Sequence, residues 1–309
     1  MSLSGHFWTV VPSLAHRVRP KFAPPTVPWS SLASDAAGLP VRLSGALRDR
    51  ADADSCVVVV HGLGGTIESH YCVRAAQALD ARGWSSLRIA LRGADRSGED
   101  FYHAGLVEDL HAAFASPELA RYRRLYVLGY SLGGHVALHA ARQLADRRLC
   151  GVAAVCAPLD LDRSATAVDE DALWIYRRHI LRGLNEIYAA VAARRAVPTP
   201  VQRVRQARTL REWDSLTVVP RYGFADVNDY YASMSIGPQL HALRCPTLLL
   251  PSRHDPMVPP HALSPSLRHA SAALTVQWLD FGGHVGFPSQ AGVEARIATW
   301  FSQQDLRAS

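Results

Sequence analysis

Short, continuously apolar runs alternate with amphipathic segments along most of the chain. The runs CVVVV, SSLRIAL, RLYVLGY and GVAAVCAPLDL, and later PTLLLPS and LTVQWLD, predict buried strands, because β-branched and aliphatic residues follow one another without polar alternation. Between them, HYCVRAAQALDARG, GLVEDLHAAFAS and GHVALHAARQLAD have the apolar spacing of helices. PHALSPSLRHA separates the last two runs, and AGVEARIATWFSQQ follows them. This alternation predicts an α/β protein with a mostly parallel sheet and helices on both faces.

Two stretches interrupt the alternation and divide the chain. Residues 1–40 are rich in proline and are predicted to form an irregular N-terminal arm with apolar anchors such as Phe7, Trp8 and Trp29. Residues 160–243 contain arginine-rich helical segments and aromatic residues but few continuous apolar runs, which indicates a cap inserted over the strand ends. Residues 41–159 and 244–309 then form the core.

The composition narrows the classes of function. The net charge is +6, yet the basic residues are scattered and no nucleic-acid motif accompanies them, so no nucleic-acid partner is expected. No apolar run reaches the roughly 20 residues that cross a bilayer, and the first residues lack the regions of a signal peptide. We therefore expect a cytoplasmic protein without an integral membrane segment. The sequence does not define the oligomeric state.

The cysteines are predicted to be small core residues in a reducing compartment. No pair has C-x-x-C spacing, and several lie beside apolar strands, which argues against disulfides and zinc ligands. The five positions are Cys56, Cys72, Cys150, Cys156 and Cys245.

The segment LYVLGYSLGGHVALHAA places a serine where a buried strand gives way to a helix. Its GYSLG core fits the G-x-S-x-G nucleophile elbow, and the strand before and helix after are the context that the motif requires. The elbow exposes the serine Oγ at the carboxyl edge of the sheet, beside a helix N-terminus that favours negative charge. Ser131 is therefore the predicted nucleophile.

A serine nucleophile needs a histidine base and a carboxylate that orients it, in the chain order Ser, Asp or Glu, His on this type of fold. Asp255 follows the strand 247–250, and His284 follows the next strand. Both should lie at the sheet edge that carries Ser131. We predict a Ser131–His284–Asp255 catalytic triad.

Other acidic and histidine residues compete for these roles. Asp160 also follows a strand, but it starts the cap and is interpreted as a turn or helix cap; Asp280 is interpreted as a surface carboxylate. His254 can only support Asp255, and His135 is more typical of packing than of catalysis. His103 either is structural or lines the pocket, and the sequence leaves that open.

The glycine-rich loop HGLGGT after the first strong strand predicts one side of an oxyanion hole. Its glycines let the backbone approach a substrate, so the backbone N–H of Leu63 is the predicted donor, together with that of Leu132 after the nucleophile. A phosphate-binding loop is disfavoured, because neither G-x-x-x-x-G-K-[ST] nor G-x-G-x-x-G spacing is present. His61 is expected to be a buried residue that shapes the loop.

The motifs HGLGG…SHY, LRGADRSGEDFYHAG, GYSLGGH, GFADVNDYYASMS and GGHVGF together resemble the YheT-like branch of the α/β-hydrolase superfamily over about residues 57–287. The resemblance implies an eight-stranded, mostly parallel sheet with a cap, and a triad on Ser131, Asp255 and His284. It also implies carboxylic-ester hydrolysis, with lipid esters among the branch's substrates and acyl transfer to alcohols in some fungal members. The branch commonly has Asn where this chain has His135.

The predicted function is therefore that of a serine esterase, lipase-like, which acts through an acyl-enzyme on small-molecule or lipid esters. Short- to medium-chain or monoacylglycerol-like substrates are expected, and no metal or organic cofactor is required. The alternatives are an acyltransferase that uses an alcohol, and a non-catalytic binding protein. Aromatic residues of the cap either line an acyl channel or form the cap's own core: Trp174, Tyr176, Trp213, Tyr222, Phe224, Tyr230 and Tyr231.

Overall fold

A computed structural model describes residues 3–268 and 270–308 of the chain. Within them, one sheet has eight strands in the order β1-β2-β4-β3-β5-β6-β7-β8. β1 pairs antiparallel with β2 and β2 with β4, and the remaining neighbours are parallel. The strands are β1 Val27–Ser34, β2 Pro40–Arg48, β3 Ser55–Val60, β4 Ser85–Ala90, β5 Arg124–Tyr130, β6 Leu149–Val155, β7 Thr247–Leu250 and β8 Leu274–Val276. The predicted mostly parallel, eight-stranded sheet is confirmed.

Helices cover both faces of this sheet. The helices are α1 Leu3–Val18, α2 His70–Asp80, α3 Glu108–Phe114, α4 Leu132–Gln143, α5 Leu161–Asp169, α6 Trp174–Ala192, α7 Val201–Val204, α8 Leu210–Leu216, α9 Val218–Tyr222, α10 Val227–Met234, α11 Pro260–Leu267 and α12 Val293–Ala308. Alternate residues of β3 show how the sheet divides the core. Val57 and Val59 pack with α2 and α12 on one face, and Val58 and Val60 pack with α3 and α4 on the other. Strands buried on both faces explain their unbroken apolar runs.

The prediction of an irregular N-terminal arm is wrong. Residues 3–18 form α1, and residues 27–34 form the edge strand β1, which forms an antiparallel pair with β2. Trp29 is a buried anchor as expected, and its indole N–H donates to Ser116 Oγ at 3.1 Å. Phe7 is not an anchor, because 53% of it is exposed. Residues 1 and 2 of the predicted arm lie outside the described part of the chain.

The segment between β6 and β7 contains α5 to α10, which matches the helical character predicted for residues 160–243. Its definition as a separate cap stays a prediction. None of the described helices has the length and apolar character required to cross a bilayer.

Buried ion pairs join this insertion to the sheet. Arg221 on α9 donates from Nε to Asp100 at 2.9 Å and from Nη2 to Asp35, in the β1–β2 turn, at 3.0 Å. Asp35 also accepts from Arg195 at 2.7 Å. Arg92, 1% exposed, pairs with Asp109 at 2.7 Å. Asp35 and the motif residue Asp100 therefore tie the helical insertion to the core.

Candidate active site

Ser131 occupies a strained turn between β5 and α4. Its φ of 52° and ψ of −121° lie in a region that L-residues rarely adopt, and such strain is common at functional sites. The turn is possible because the backbone passes close on each side. A Cβ atom at Gly133 would overlap the carbonyl oxygens of Val60 and His61, and one at Gly129 would overlap that of Gly133. The flanking glycines therefore let the elbow pack against the end of β3.

The structure brings Ser131, His284 and Asp255 together in one hydrogen-bonded chain. His284 Nε2 lies 2.8 Å from Ser131 Oγ, and His284 Nδ1 lies 2.9 Å from Asp255 Oδ2. An ionised carboxylate can only accept, so Nδ1 carries the proton and Nε2 is free to accept from the serine hydroxyl. Asp255 and His284 are 4% and 6% exposed. The structure therefore places these three predicted site residues next to one another.

Asp255 is held in place by its own loop. Its Oδ1 accepts the backbone N–H groups of Met257 at 2.8 Å and Val258 at 2.9 Å. These bonds fix the carboxylate before it meets the imidazole. Because two backbone donors and the imidazole N–H satisfy its oxygens, Asp255 can orient His284 without a further partner.

Cys156, at the end of β6, lies beneath this pair. Its Sγ, a carboxylate oxygen of Asp255 and a ring nitrogen of His284 lie within 4.8 Å of one another. Burial raises the pKa of the Cys156 thiol well above its usual value, so the group is a neutral thiol. Cys156 also has a positive φ of 49°. The sequence predicted a buried cysteine here but not its place beside the site.

The competing residues have other partners. Asp160 caps α5 by accepting the backbone N–H of Arg163 at 3.0 Å, and exposed Asp280 pairs with Arg253 at 2.6 Å. His254 makes a backbone hydrogen bond to Ser252 Oγ at 3.2 Å. These contacts agree with the structural roles expected for Asp160 and Asp280.

His135 and His103 are buried and neutral. His135 Nδ1 lies 2.7 Å from the carbonyl oxygen of Pro158, and Nε2 lies 2.9 Å from that of Met234. A neutral imidazole donates from one nitrogen only, so one of these two contacts is a hydrogen bond. His103 Nδ1 accepts the backbone N–H of Gly105 at 3.2 Å, and this residue also lines the cavity described below. Burial lowers the pKa of both imidazoles, to about 3 for His103.

The loop after β3 leaves one backbone donor free beside Ser131. Gly62 donates its N–H to Tyr71 Oη at 3.0 Å, and Gly64 donates to Tyr102 Oη at 2.8 Å. Between them, the N–H of Leu63 has no acceptor within the described residues, and neither does that of Leu132 at the start of α4. The two donors predicted for the oxyanion hole are thus available.

His61 shapes this loop, as expected. It is fully buried, its Nδ1 lies 2.8 Å from the carbonyl oxygen of Gly62, and its Nε2 accepts the N–H of Leu91 at 3.2 Å. Burial lowers its pKa to about 4. His61 therefore stays neutral at physiological pH, and its Nε2 can accept the backbone N–H of Leu91, which follows β4.

A cavity of about 650 Å³ opens onto Ser131 and His284. Its walls come from the HGLGGT loop, α1 and the inserted helices α5, α6 and α8. Of the aromatic residues considered for an acyl channel, Tyr176, Trp213, Tyr230 and Tyr231 line the cavity. Tyr222 and Phe224 pack against the hydrophobic core instead, and Trp174 is 52% exposed.

Ser164 and Asp214 are two of the polar groups that line this cavity. Ser164 on α5 has a buried Oγ without a hydrogen-bond partner among the described residues. Asp214 on α8 accepts from Tyr231 Oη at 2.7 Å, and burial raises its pKa to about 7. The cavity wall therefore carries a carboxyl group that titrates near neutral pH.

The N-terminal helix is a part of the site that sequence reasoning missed. Thr9 Oγ1 accepts the backbone N–H of His284 at 2.8 Å. The helix reaches the histidine loop because glycines remove side chains from the contact. A Cβ atom at Gly286 would overlap the carbonyl oxygen of Trp8, and one at Gly5 would overlap that of His254. The only sequence signal was the glycine pair in GGHVGF.

A parallel sheet with a strained serine elbow and a later Asp and His at its carboxyl edge defines the α/β-hydrolase class. The serine aminopeptidase S33 family model matches residues 51–285. The chain belongs to this family and, within the α/β-hydrolases, to the YheT-like branch. YheT of Escherichia coli, an esterase by name, is 30% identical over 263 residues, covering 80% of this chain and 76% of YheT.

Two further comparisons extend this relationship. The monoacylglycerol lipase of Saccharomyces cerevisiae is 24% identical over 260 residues, which cover 76% of this chain and 55% of that protein. A solved esterase of Pyrococcus furiosus superposes with a TM-score of 0.59 at 16% identity, covering 90% of this chain and 92% of that one. The latter similarity shows the fold alone. The chain is a hydrolase of the esterase- and lipase-like α/β-hydrolases.

Proposed function

We propose that the protein is a serine carboxylic-ester hydrolase that acts through Ser131, His284 and Asp255. The observation that carries the proposal is the continuous hydrogen-bonded chain from Asp255 through the imidazole to Ser131 Oγ, with distances of 2.9 and 2.8 Å. Such a chain serves as a nucleophile, a general base and a group that orients the base.

The first half of the reaction forms an acyl-enzyme. Ser131 Oγ bonds to the ester carbonyl carbon while its proton passes to His284 Nε2. The carbonyl oxygen becomes an oxyanion that accepts from the N–H groups of Leu63 and Leu132. The carbon–oxygen bond to the alcohol then breaks, and the alcohol leaves with the proton from His284. Loss of one such oxyanion donor typically costs about 100- to 1,000-fold in rate.

The second half releases the acid. Water attacks the acyl carbon, gives a proton to His284, and displaces Ser131 Oγ, which takes the proton back. Asp255 stabilises the imidazolium in both halves and itself stays ionised. No step requires a metal or an organic cofactor.

The cavity supports esters with an apolar acyl group as substrates. Its volume of about 650 Å³ and its lining by Leu161, Val168 and Trp213 suit short- to medium-chain acyl groups or monoacylglycerol-like molecules. The names of the YheT and monoacylglycerol lipase relatives point to the same class. A cytoplasmic location belongs to this proposal and rests on the five cysteines, which are all free and of which four are buried.

The test is steady-state hydrolysis of p-nitrophenyl esters from acetyl to long-chain acyl groups. Ser131→Ala is expected to lower kcat/KM by at least about 1,000-fold, because members of a triad act as a unit. Ser164→Ala is the matched control, since Ser164 lines the same cavity but lies outside the hydrogen-bonded chain. A Ser131→Ala enzyme with more than a tenth of the wild-type rate contradicts the proposal.

Acyl transfer to an alcohol is a second candidate for the same acyl-enzyme. A Saccharomyces cerevisiae relative, 24% identical over 62% of its length, is named as a medium-chain fatty acid ethyl ester synthase/esterase. In transfer, an alcohol replaces water in the second half of the reaction. Product analysis with added ethanol separates the two: ethyl ester supports transfer, and free acid alone counts against it.

A further inference from the structure

Helix α1 has its large apolar side chains on the outside. Leu3, Phe7, Leu14 and Val18 recur at spacings of four, seven and four residues, which place them on one face of a helix. They are 89%, 53%, 50% and 79% exposed. An ordinary surface helix turns such a stripe toward the core. In α1 the apolar stripe instead faces outward.

The opposite face of α1 is small and polar, and it faces the site. It contains Gly5 and Thr9, which meet the loops of His254 and His284, and Ser13 and His16, which line the cavity. The helix is thus held in place by its small residues. The side chains of its apolar stripe are each at least half exposed.

A second element extends this stripe. The first residues of α6, Trp174 and Ile175, are 52% and 60% exposed. Next to them, Tyr176 Oη lies 2.8 Å from His6 Nδ1 on α1, and the two rings stack with centroids 5.8 Å apart. The two helix starts are therefore neighbours, and their exposed apolar residues form one area.

We name this area the α1–α6 surface; it consists of Leu3, Phe7, Leu14, Val18, Phe22, Trp174 and Ile175. Phe22, which follows α1, is 80% exposed. Among the side chains that the structure describes, the other large apolar residues with high exposure are Val27, Leu32 and Leu39, which lie in or beside the edge hairpin. Exposed apolar side chains are thus concentrated on the helices that line the cavity.

The N-terminal part of this surface lies in a segment with basic residues only, whereas Asp169 and Glu170 precede the start of α6. Residues 1–34 contain Arg17, Arg19 and Lys21 but neither Asp nor Glu. All three basic residues are exposed, and Arg17 also lines the cavity. On α6, exposed Arg178 adds to them. A partner of complementary chemistry is apolar and negatively charged, as the surface of an anionic lipid bilayer is.

We propose that the α1–α6 surface docks the protein onto an anionic lipid–water interface, with α1 lying between the bilayer and the cavity. The apolar stripe enters the boundary between head groups and acyl chains, and Arg19 and Lys21 contact lipid phosphates. Because α1 lines the cavity and contacts the His284 loop, docking brings the site within one helix of the interface. The choice of lipid esters as substrates rests on the proposed function, but docking itself does not need catalysis.

The test is flotation of the Ser131→Ala protein with vesicles of phosphatidylcholine, either alone or mixed with phosphatidylglycerol. Binding is expected to be stronger with phosphatidylglycerol and weaker at high salt. Arg19→Gln/Lys21→Gln is expected to weaken it by about fivefold per charge removed. Absence of binding to both kinds of vesicle overturns the proposal.

The apolar contribution is tested by Phe7→Ser/Leu14→Ser/Val18→Ser, expected to weaken vesicle binding by at least about tenfold. Leu32→Ser is the matched control, since Leu32 is 67% exposed on β1, outside the α1–α6 surface. Thermal unfolding of each variant separates loss of docking from loss of folding. Equal vesicle binding by the triple variant and the control contradicts the proposal. Light scattering of the wild type tests for a dimer; a dimer that only the triple variant abolishes would show that a second copy of the chain covers this surface, and would also contradict the proposal.

Wild-type hydrolysis of a water-soluble acetyl ester is measured in parallel. Hydrolysis without vesicle binding refutes docking and leaves the ester hydrolase intact. Vesicle binding without hydrolysis supports docking and refutes the proposed function.

Discussion

Thr9 connects the N-terminal helix to the histidine of the proposed triad, and its removal is a sharp test of that connection. Its Oγ1 donates to the carbonyl oxygen of Gly5 at 2.7 Å and accepts the N–H of His284 at 2.8 Å. Thr9→Val keeps the shape of the side chain and removes both hydrogen bonds. The N–H of His284 is then left without an acceptor next to the reacting groups.

The magnitude follows from the hydrogen bond that is lost. An unsatisfied N–H of this kind costs about 1–3 kcal/mol of stability, which the loop can relieve by moving toward another acceptor. Displacement of a catalytic group by about 1 Å costs up to about 100-fold in rate. We therefore expect kcat for a p-nitrophenyl ester to fall by about 10- to 100-fold, with KM changed by less than about threefold.

Thr299 offers a matched control at a distance from the site. Its Oγ1 also donates to the carbonyl oxygen four residues earlier, at 2.9 Å, and accepts an N–H from Arg82 at 2.7 Å. Thr299→Val is expected to leave kcat unchanged. Thr9→Ser, which retains the hydroxyl, is expected to recover most of the activity.

The assay is kcat and KM at saturating ester, well below the melting temperature of each variant. If Thr9→Val keeps kcat within about twofold of the wild type while losing stability, the threonine only supports the fold. That result would refute the reasoning that α1 positions His284.

Three further predictions concern the elbow, the buried histidines and the cavity carboxyl. Gly133→Ala places a methyl group against the carbonyl oxygens of Val60 and His61 and is expected to lower stability by at least about 1–3 kcal/mol, measured by denaturant unfolding; unchanged stability would contradict the close packing. Burial lowers the pKa of His139 from 6.5 to about 3, so the unfolded chain takes up a proton first as pH falls. His139→Gln should therefore reduce the loss of unfolding free energy between pH 6 and 4 by roughly 1 kcal/mol per pH unit; an unchanged slope would contradict this. Because the pKa of Asp214 is about 7, its carboxyl group becomes charged in the cavity wall above neutral pH. KM for long-chain esters should therefore rise above neutral pH in the wild type and not in Asp214→Asn. Identical pH profiles of KM for the two proteins would contradict an effect of this carboxyl group on acyl binding.

The sequence was sufficient to place the three residues of the proposed triad because their positions follow from local rules. Ser131 directly follows β5, and Asp255 and His284 lie in the loops after β7 and β8. The carboxyl ends of parallel strands meet at one edge of the sheet. The glycines around Ser131 and the chain order Ser, Asp, His then leave few alternatives. Asp160 illustrates the limit of this logic, since it also follows a strand but serves as a helix cap.

The N-terminal helix could not be predicted in the same way, because its stability depends on distant partners. Its stripe of exposed apolar residues and its internal Pro12 are poor signals for a surface helix. The contacts that hold it involve Gly283 and Gly286, more than 250 residues away. His135 is similar: its partners are backbone carbonyl oxygens of Pro158 and Met234, which only the fold brings together.

The central claim is that Ser131 is the nucleophile, and the most direct measurement is the site of covalent labelling by a fluorophosphonate. Intact-mass and peptide-mass analysis should find a single adduct, on the peptide that contains Ser131. His284→Ala should slow labelling strongly, because the base that takes the serine proton is absent. An adduct on another residue, or labelling that Ser131→Ala leaves intact, would contradict the account.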